Sequence, residues 1–437
     1  MLKRKIMDKL VAWKKQDKKR CLLIKGARQV GKTYTVEQFA RENYENYIYI
    51  NFELMPSMKA IFDGDLDFQT LQLNLEANFP NTRIERGKTL LFLDEIGVCP
   101  NARVALKTFA MDGTLDVIAS GSLLGLYYRE VASYPVGYEE PMEMYPLDFE
   151  EFLWAVGVSD GVIEVAKQGF ASREALPVSM QDKLSEYFRL YMLVGGMPAV
   201  VNTYLETKSI NRAREVQRAL VESYKNDVIK YAATTDKQKI LKTFESIPVQ
   251  LGKKNKKFMW SDIDEGDKFA GERKYGSALE WLRDAGIVNF CYNLTDPVAP
   301  LVSHRKLDAY KVYMRDTGLL VSMLEAGAAK QILAGDDMVN EGSVTENVIA
   351  GELAAHGHEL AYFEKRGELE IDFVLNLGGE VTAIECKSGK HTQARSLESV
   401  RQNYQTVGRC VKLERNTSVG VDDEGIEWYP LFMGAWV

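Results

Sequence analysis

Long apolar runs are missing from this 437-residue chain. None approaches the ~18 residues that a membrane-spanning helix needs, so no membrane partner is expected. Proline is scarce, at 12, which excludes collagen-like stretches and long proline-rich disorder. The opening Met1-Leu-Lys-Arg-Lys-Ile-Met-Asp8 is charged and no apolar h-region follows it, so a signal peptide is not expected. Cysteines are few and scattered: Cys21, Cys99, Cys291, Cys386 and Cys410 form no C-x-x-C pair. They read as reduced thiols in a cytoplasmic protein. Histidine is rarer still, and His304, His356, His358 and His391 have no zinc spacing with any cysteine.

What is present is ordinary globular material, 46% hydrophobic and 27% charged, in a length that suggests about three domains. The formal charge of −7 speaks against a histone-like DNA coat, yet it is unevenly spread. Residues 1–20 hold nine cations against Asp8 and Asp17, a local +7, and the rest of the chain carries −14. A second basic run, Lys253-Lys-Asn-Lys-Lys257, precedes Phe258 and Trp260. Cations interleaved with aromatics suit a phosphate backbone and make DNA a candidate partner, although a solvated loop explains the same run.

The first chemical site is at Gly26-Ala27-Arg28-Gln29-Val30-Gly31-Lys32-Thr33, with Tyr34 following. An apolar run (Leu22, Leu23, Ile24) leads into it and a helical stretch, Tyr34 to Asn43, leads out. This is G-x-x-x-x-G-K-[ST] in the strand–loop–helix setting that the motif requires. Backbone amides there converge on phosphate, and a helix N-terminus favours the negative charge. Lys32 is expected to reach the β- and γ-phosphates of ATP, and Thr33 to ligate Mg²⁺. Further on, Lys88-Thr-Leu-Leu-Phe-Leu-Asp-Glu95 reads as a buried strand ending in two carboxylates. Asp94 is the expected magnesium residue, and Glu95 is placed to polarise the attacking water. The strand Asp116-Val-Ile-Ala-Ser-Gly121 ends in Ser120, a candidate γ-phosphate sensor with Ser122 in reserve. A Ser-Gly turn that satisfies its own backbone is the plainer reading.

These motifs continue in a fixed order: Leu93-Asp-Glu-Ile96, Ala119-Ser-Gly-Ser-Leu-Leu124, Met144-Tyr-Pro-Leu-Asp-Phe-Glu-Glu-Phe-Leu153, Gly195-Gly-Met-Pro198, Tyr224-Lys-Asn-Asp-Val228 and Asp316-Thr-Gly-Leu-Leu320. Together they resemble the prokaryotic AAA-type (AAA_14) ATP-binding proteins that carry a C-terminal DUF4143 domain. The resemblance spans nearly the whole chain. It implies an α/β protein with an ASCE-type P-loop core on a parallel sheet (1–145), a helical lid (146–235), a winged-helix-like segment (236–300) and a C-terminal DUF4143 module (301–437). It also lends Gly196 and Pro198 a role against the adenine, beside the plainer reading of a Gly-Gly turn and a helix start. One departure concerns Pro135-Val-Gly-Tyr138, where many relatives carry Gly-Arg. An arginine finger from that position is therefore in doubt. Arg103 and Arg129 are substitutes unless they are ordinary surface arginines.

The second chemical site lies in the C-terminal third. Leu369-Glu-Ile-Asp-Phe-Val-Leu375, a Gly378-Gly379 turn and Val381-Thr-Ala-Ile-Glu-Cys-Lys387 read as a hairpin. Glu385 and Lys387 share a strand face, Asp372 lies on the neighbouring strand, and Glu346 falls on a helix from Val344 to Ala355. This looks like a PD-(D/E)xK nuclease core. Glu346, Asp372 and Glu385 would then hold Mg²⁺ or Mn²⁺, and Lys387 would orient the water. Cross-strand ion pairs on a surface hairpin are the alternative. Three functions are compatible with the whole: an ATPase whose nucleotide state controls a nuclease-like, DNA-engaging module; a non-cleaving ATP-dependent switch or scaffold for a protein or DNA partner; or a chaperone-like motor. Oligomeric state is not legible.

Overall fold

The computed structural model describes residues 2–122, 137–264, 266–267, 269–324, 327, 331–332, 341–365, 369–388, 394–415 and 417–437. Arg129, Pro135, Val136 and His391 lie outside these, as does the side chain of Ser122. Two compact units form, one of Lys3–Tyr145 with Asp284–Gly286, the other of Pro146–Arg283 and Ile287–Val437.

The first unit runs α1 (Ile6–Lys14), β1 (Cys21–Gly26), α2 (Lys32–Asn43), β2 (Asn46–Asn51), α3 (Phe68–Asn78), β3 (Thr89–Asp94), α4 (Pro100–Asp112), β4 (Asp116–Ser122) and β5 (Glu139–Glu143). Its five strands are all parallel, in the order β2-β3-β4-β1-β5. Parallel strands covered by helices on both faces read as continuous apolar runs, and every residue of β3 is buried. One strand, β4, separates the P-loop strand from the acidic one, as an ASCE core requires. Leu91 and Leu93 of β3, Ile48 and Ile50 of β2, and Phe109 of α4 share one apolar cluster. That cluster holds the strand tips in place.

The second unit opens with helices α5 (Phe149–Ala155), α6 (Asp160–Ser172), α7 (Val178–Val194), α8 (Pro198–Thr207), α9 (Ile210–Tyr231), α10 (Lys237–Leu251) and α11 (Glu272–Asp284). Asp148 and Glu151 close a capping box on α5, satisfying two orphan amides at once. Next come β6 (Val288–Leu294), β7 (Arg305–Met314), α12 (Thr317–Met323), α13 (Glu341–Ala355), β8 (Ala361–Lys365), β9 (Leu369–Ile371), β10 (Phe373–Leu377), β11 (Glu380–Lys387), α14 (Arg395–Asn403), β12 (Val407–Glu414), β13 (Gly420–Val421) and β14 (Glu427–Pro430). One sheet has the order β7-β6-β8-β9, and another β10-β11-β12-β14-β13. The strand expected over 369–375 is broken at Asp372: β9 pairs with β8 in the first sheet, while β10 turns through Gly378-Gly379 onto β11 in the second. The break spares a buried carboxylate from lying mid-ladder. Asp372 accepts the Cys386 N–H at 2.8 Å instead.

The Gly195-Gly196 turn is set by close backbone approach. A Cβ on Gly196 would lie 2.0 Å from the Leu147 carbonyl oxygen, and the Gly196 amide donates to Asp316 Oδ2 at 2.7 Å. Asp316 also caps α12 through Leu319 N. Burial raises its carboxyl to about 6 against the pull of these amides. Gly196→Ala is therefore expected to destabilise this unit by about 1–3 kcal/mol through overpacking. Gly161→Ala, in α6 with nothing within 4 Å of its Cβ, should stabilise it by roughly 0.4–1 kcal/mol. Calorimetric melting of the two variants against the parent checks the opposite signs.

Candidate active site

The P-loop runs from the C-terminal end of β1 to the first turn of α2. Gly26 has no room for a side chain, since a Cβ would meet the Met144 carbonyl oxygen at 2.3 Å. Gln29 and Gly31 adopt left-handed backbone, with φ of 64° and 98°. Such turns direct successive amides towards one point, which makes an anion nest at the helix N-terminus. Lys32 folds back over the loop and donates to the carbonyls of Gly26 (3.0 Å) and Ala27 (2.9 Å). Arg28 faces Glu53 at 3.9 Å, Val30 is buried, and Tyr34 projects into solvent on the first turn of α2.

Asp94 is the centre of the site. It is buried, and its Oδ2 accepts from the hydroxyls of Thr33 (2.8 Å) and Tyr49 (3.1 Å) and from Asn51 Nδ2 (3.0 Å). Its Oδ1 accepts from the buried hydroxyl of Ser120 and from the Glu95 amide at 3.1 Å. Glu95 follows in left-handed conformation, φ 52°. Burial raises its carboxyl above the usual range, Lys32 opposes this, and Asp94 adds to it. A half-buried carboxylate with a raised pKa beside the phosphate loop has the properties of a general base. Thus Lys32, Thr33, Asp94, Glu95 and Ser120 are drawn into one region, where Thr33 and Asp94 offer the hard oxygen donors that suit Mg²⁺.

Three contributors escaped the sequence reading. Tyr49 and Asn51 are two apart on β2 and so share a face, with Asn51 in register with Asp94. A polar residue ending an apolar strand beside the acidic one was the available signal. Arg4 is the third: it is buried and donates to the carbonyls of Val30 (2.9 Å) and Tyr145 (2.7 Å). Nothing in the sequence set it apart from the other cations near it. Arg103, considered as a finger, is buried in an ion pair with Glu139 at 3.0 Å, so it is not free to reach another subunit. Pro198 belongs to the other unit as the first residue of α8, where a missing N–H is harmless.

The C-terminal carboxylates do not assemble as expected. Among the described residues no group of three or more His, Cys, Asp or Glu side chains is placed to hold a metal. Glu346 of α13 is instead engaged by Lys256, by Lys311 at 3.4 Å and by the Tyr313 hydroxyl at 3.0 Å. Burial alone would raise its carboxyl, but the two lysines hold it well below the usual range. Asp372 is pushed up by burial and by Glu346. Glu385 pairs with Lys387 at 2.6 Å. In the basic run at 253–257, Lys256 and Lys257 turn inward, Lys257 onto Glu364, while Lys253 stays exposed and pairs with Asp262 at 2.9 Å.

A phosphate nest, a capping lysine, a buried strand-tip aspartate and a glutamate after it on a β2-β3-β4-β1-β5 sheet define a P-loop ATPase core. Comparison with known proteins agrees and adds the domain order. An AAA domain (AAA_14) matches residues 18–153, a domain of unknown function (DUF8612) matches 185–330, and another (DUF4143) matches 341–431. The chain thus carries an ATP-binding AAA domain at its N-terminal end and DUF4143 towards its C-terminal end, the pairing that its motifs resemble. An uncharacterized protein of Methanocaldococcus jannaschii, MJ1544, is 24% identical over 362 residues, 81% of this chain and 71% of that one. Among solved structures, the Aeropyrum pernix ORC1 protein in complex with DNA is 13% identical with a TM-score of 0.29, covering 77% of this chain and 92% of that chain. The Cdc6p of Pyrobaculum aerophilum is also 13% identical, with a TM-score of 0.23 over 74% and 91%. No helix among the described residues is long and apolar enough to cross a membrane.

Burial lowers Lys32 to about 8, although Glu95 and Asp94 pull it upward. Bound phosphate raises it again, so ATP must bring a proton to the site when the lysine is neutral. ATP affinity is accordingly expected to fall as pH rises through 8, approaching about tenfold per pH unit above it. Calorimetric titrations at pH 8.5 in buffers of different ionisation enthalpy should show proton uptake on binding. Below pH 7 the uptake should vanish.

Proposed function

We propose that the protein hydrolyses ATP at the P-loop of its first unit and that the nucleotide state controls its C-terminal module. The observation that carries this is the convergence of Thr33, Tyr49, Asn51 and Ser120 on Asp94. These side chains come from α2, β2 and β4, so a change at the γ-phosphate is felt by three elements of the core. Lys32 would leave the Gly26 and Ala27 carbonyls to meet phosphate oxygens. Glu95 takes the proton of the attacking water, a role that its raised pKa suits. Thr33 and Asp94 would hold Mg²⁺, which when bound neutralises charge on the β- and γ-phosphates. Ser120 lies at the tip of β4, between the strands that carry the phosphate loop and Asp94, where it would sense the γ-phosphate.

The module that receives this signal engages a partner, and DNA is the candidate we favour. Lys9, Lys15, Lys18 and Arg20 are exposed around α1 and the segment after it and would offer positive charge to a polyanion. A protein partner is the second reading. It is favoured by the inward pairing of Lys256 and Lys257, which draws two cations of the basic run away from the surface.

Lys32→Ala is expected to abolish nucleotide binding. Glu95→Gln should bind ATP but turn it over about 10²–10⁴-fold more slowly, since it removes the base and keeps Asp94. Equal turnover in Glu95→Gln and the parent would overturn the role of Glu95. Hydrogen exchange across residues 341–431 should change with ATP in Glu95→Gln and not in Lys32→Ala. No change in either would remove the control.

A further inference from the structure

The trio Glu346, Asp372 and Glu385 is buried, and its charge is already balanced from within the chain. Lys256 and Lys311 both pair with Glu346, and Lys387 pairs with Glu385 at 2.6 Å. Lys311 is wholly buried on β7, reaches Glu370 at 2.7 Å and stands 5.0 Å from the centre of the Tyr362 ring. The three buried carboxylates therefore face three ammonium groups, with Glu370, whose side chain is 43% exposed, as a fourth carboxylate on Lys311. A nuclease trio served by a single lysine would keep an excess of negative charge, which a divalent ion offsets. Here the three lysines offset most of that excess, and a further 2+ in the same desolvated volume would have little counter-charge.

The oxygens of the trio are occupied to match. Lys256 takes Glu346 Oε1, Lys311 and the Tyr313 hydroxyl take Oε2, and the Cys386 amide takes Asp372 Oδ2. Only Glu385 keeps a buried oxygen, Oε2, without a hydrogen-bond partner. Lys387 already holds the other oxygen of that carboxylate. We infer that Lys256 and Lys311 stand in for the divalent cation of a nuclease-like site, so that the C-terminal module folds without metal and does not cleave nucleic acid. The two lysines arrive from outside the motif. Lys256 comes from the loop after α10 and Lys311 from the hairpin of β6 and β7, so the charge substitution ties both to α13.

The two lysines differ in how easily they can be tested. Lys311 is sealed in, and replacing it risks the fold. Lys256 is partly exposed, at 19% of its side chain, and can be shortened safely. Mn²⁺ binding to the nucleotide-free full chain, read by electron paramagnetic resonance of the free ion, is the direct probe. Wild type and Asp372→Asn should give superimposable isotherms. Lys256→Ala should bind one additional Mn²⁺ at least about tenfold more tightly than wild type, because the cation that repels the ion is gone. Adding Glu385→Gln should abolish that gain. Supercoiled plasmid incubated with wild type, ATP and Mn²⁺ should stay intact. A wild-type Mn²⁺ site lost in Asp372→Asn would overturn the inference, and so would nicking lost in Asp372→Ala. A Lys256→Ala protein with no gain in Mn²⁺ affinity would overturn the assignment of the lysine as the excluding charge. None of these readouts depends on ATP turnover, so a failure here leaves the ATPase reading standing.

Discussion

A carboxylate buried at the tip of an apolar strand is the constraint on which the first unit depends. Asp94 closes β3, all of whose residues are buried, and an isolated charge in that position would be prohibitively costly. It is tolerated because five donors meet it, four side chains from α2, β2 and β4 and the amide of Glu95. Each bond also fixes something else: Thr33 sets the start of α2, Asn51 and Tyr49 set the end of β2, and Ser120 sets the end of β4. The solvation of one aspartate therefore aligns the catalytic edge of the sheet. It also holds the Glu95 amide, and with it the direction of the next carboxylate.

The second unit solves a comparable problem by charge. Asp372 is held by the Cys386 amide, while lysines pair with Glu346 and Glu385. A lysine as deeply buried as Lys311 would ordinarily lose its proton. Glu346, Asp372 and Glu370 around it more than reverse the cost of burial and hold its pKa well above normal. The two clusters differ in consequence because they differ in partner. The donors bonded to Asp94 are neutral hydroxyls and amides, whereas those bonded to Glu346 include two ammonium groups. An acidic side chain is a ligand in one place and a structural ion pair in the other.

Much of the first site was legible because its chemistry is contiguous. Gly26 to Thr33 must be adjacent in sequence to bend one loop around one anion, and Asp94-Glu95 must come after an apolar run to sit at a strand tip. Tyr49, Asn51 and Arg4 were missed because their roles arise from register and from chain reversal, which local pattern does not carry. Arg103 misled for the same reason: an arginine on a helix looks free until Glu139 is placed beside it.

In the C-terminal module the balance shifts. Sequence alone placed Glu346 on a helix, Glu385 and Lys387 on one strand face, and a glycine turn at Gly378-Gly379, because periodicity and turn chemistry are short-range. It could not show that Asp372 breaks its strand, nor that Lys256 and Lys311, 116 and 61 residues upstream of Asp372, come to lie among the acids. Local sequence determined which groups carry charge and which element each sits on. Tertiary structure alone decided which charges meet, since electrostatic energy depends on distance through space and on burial.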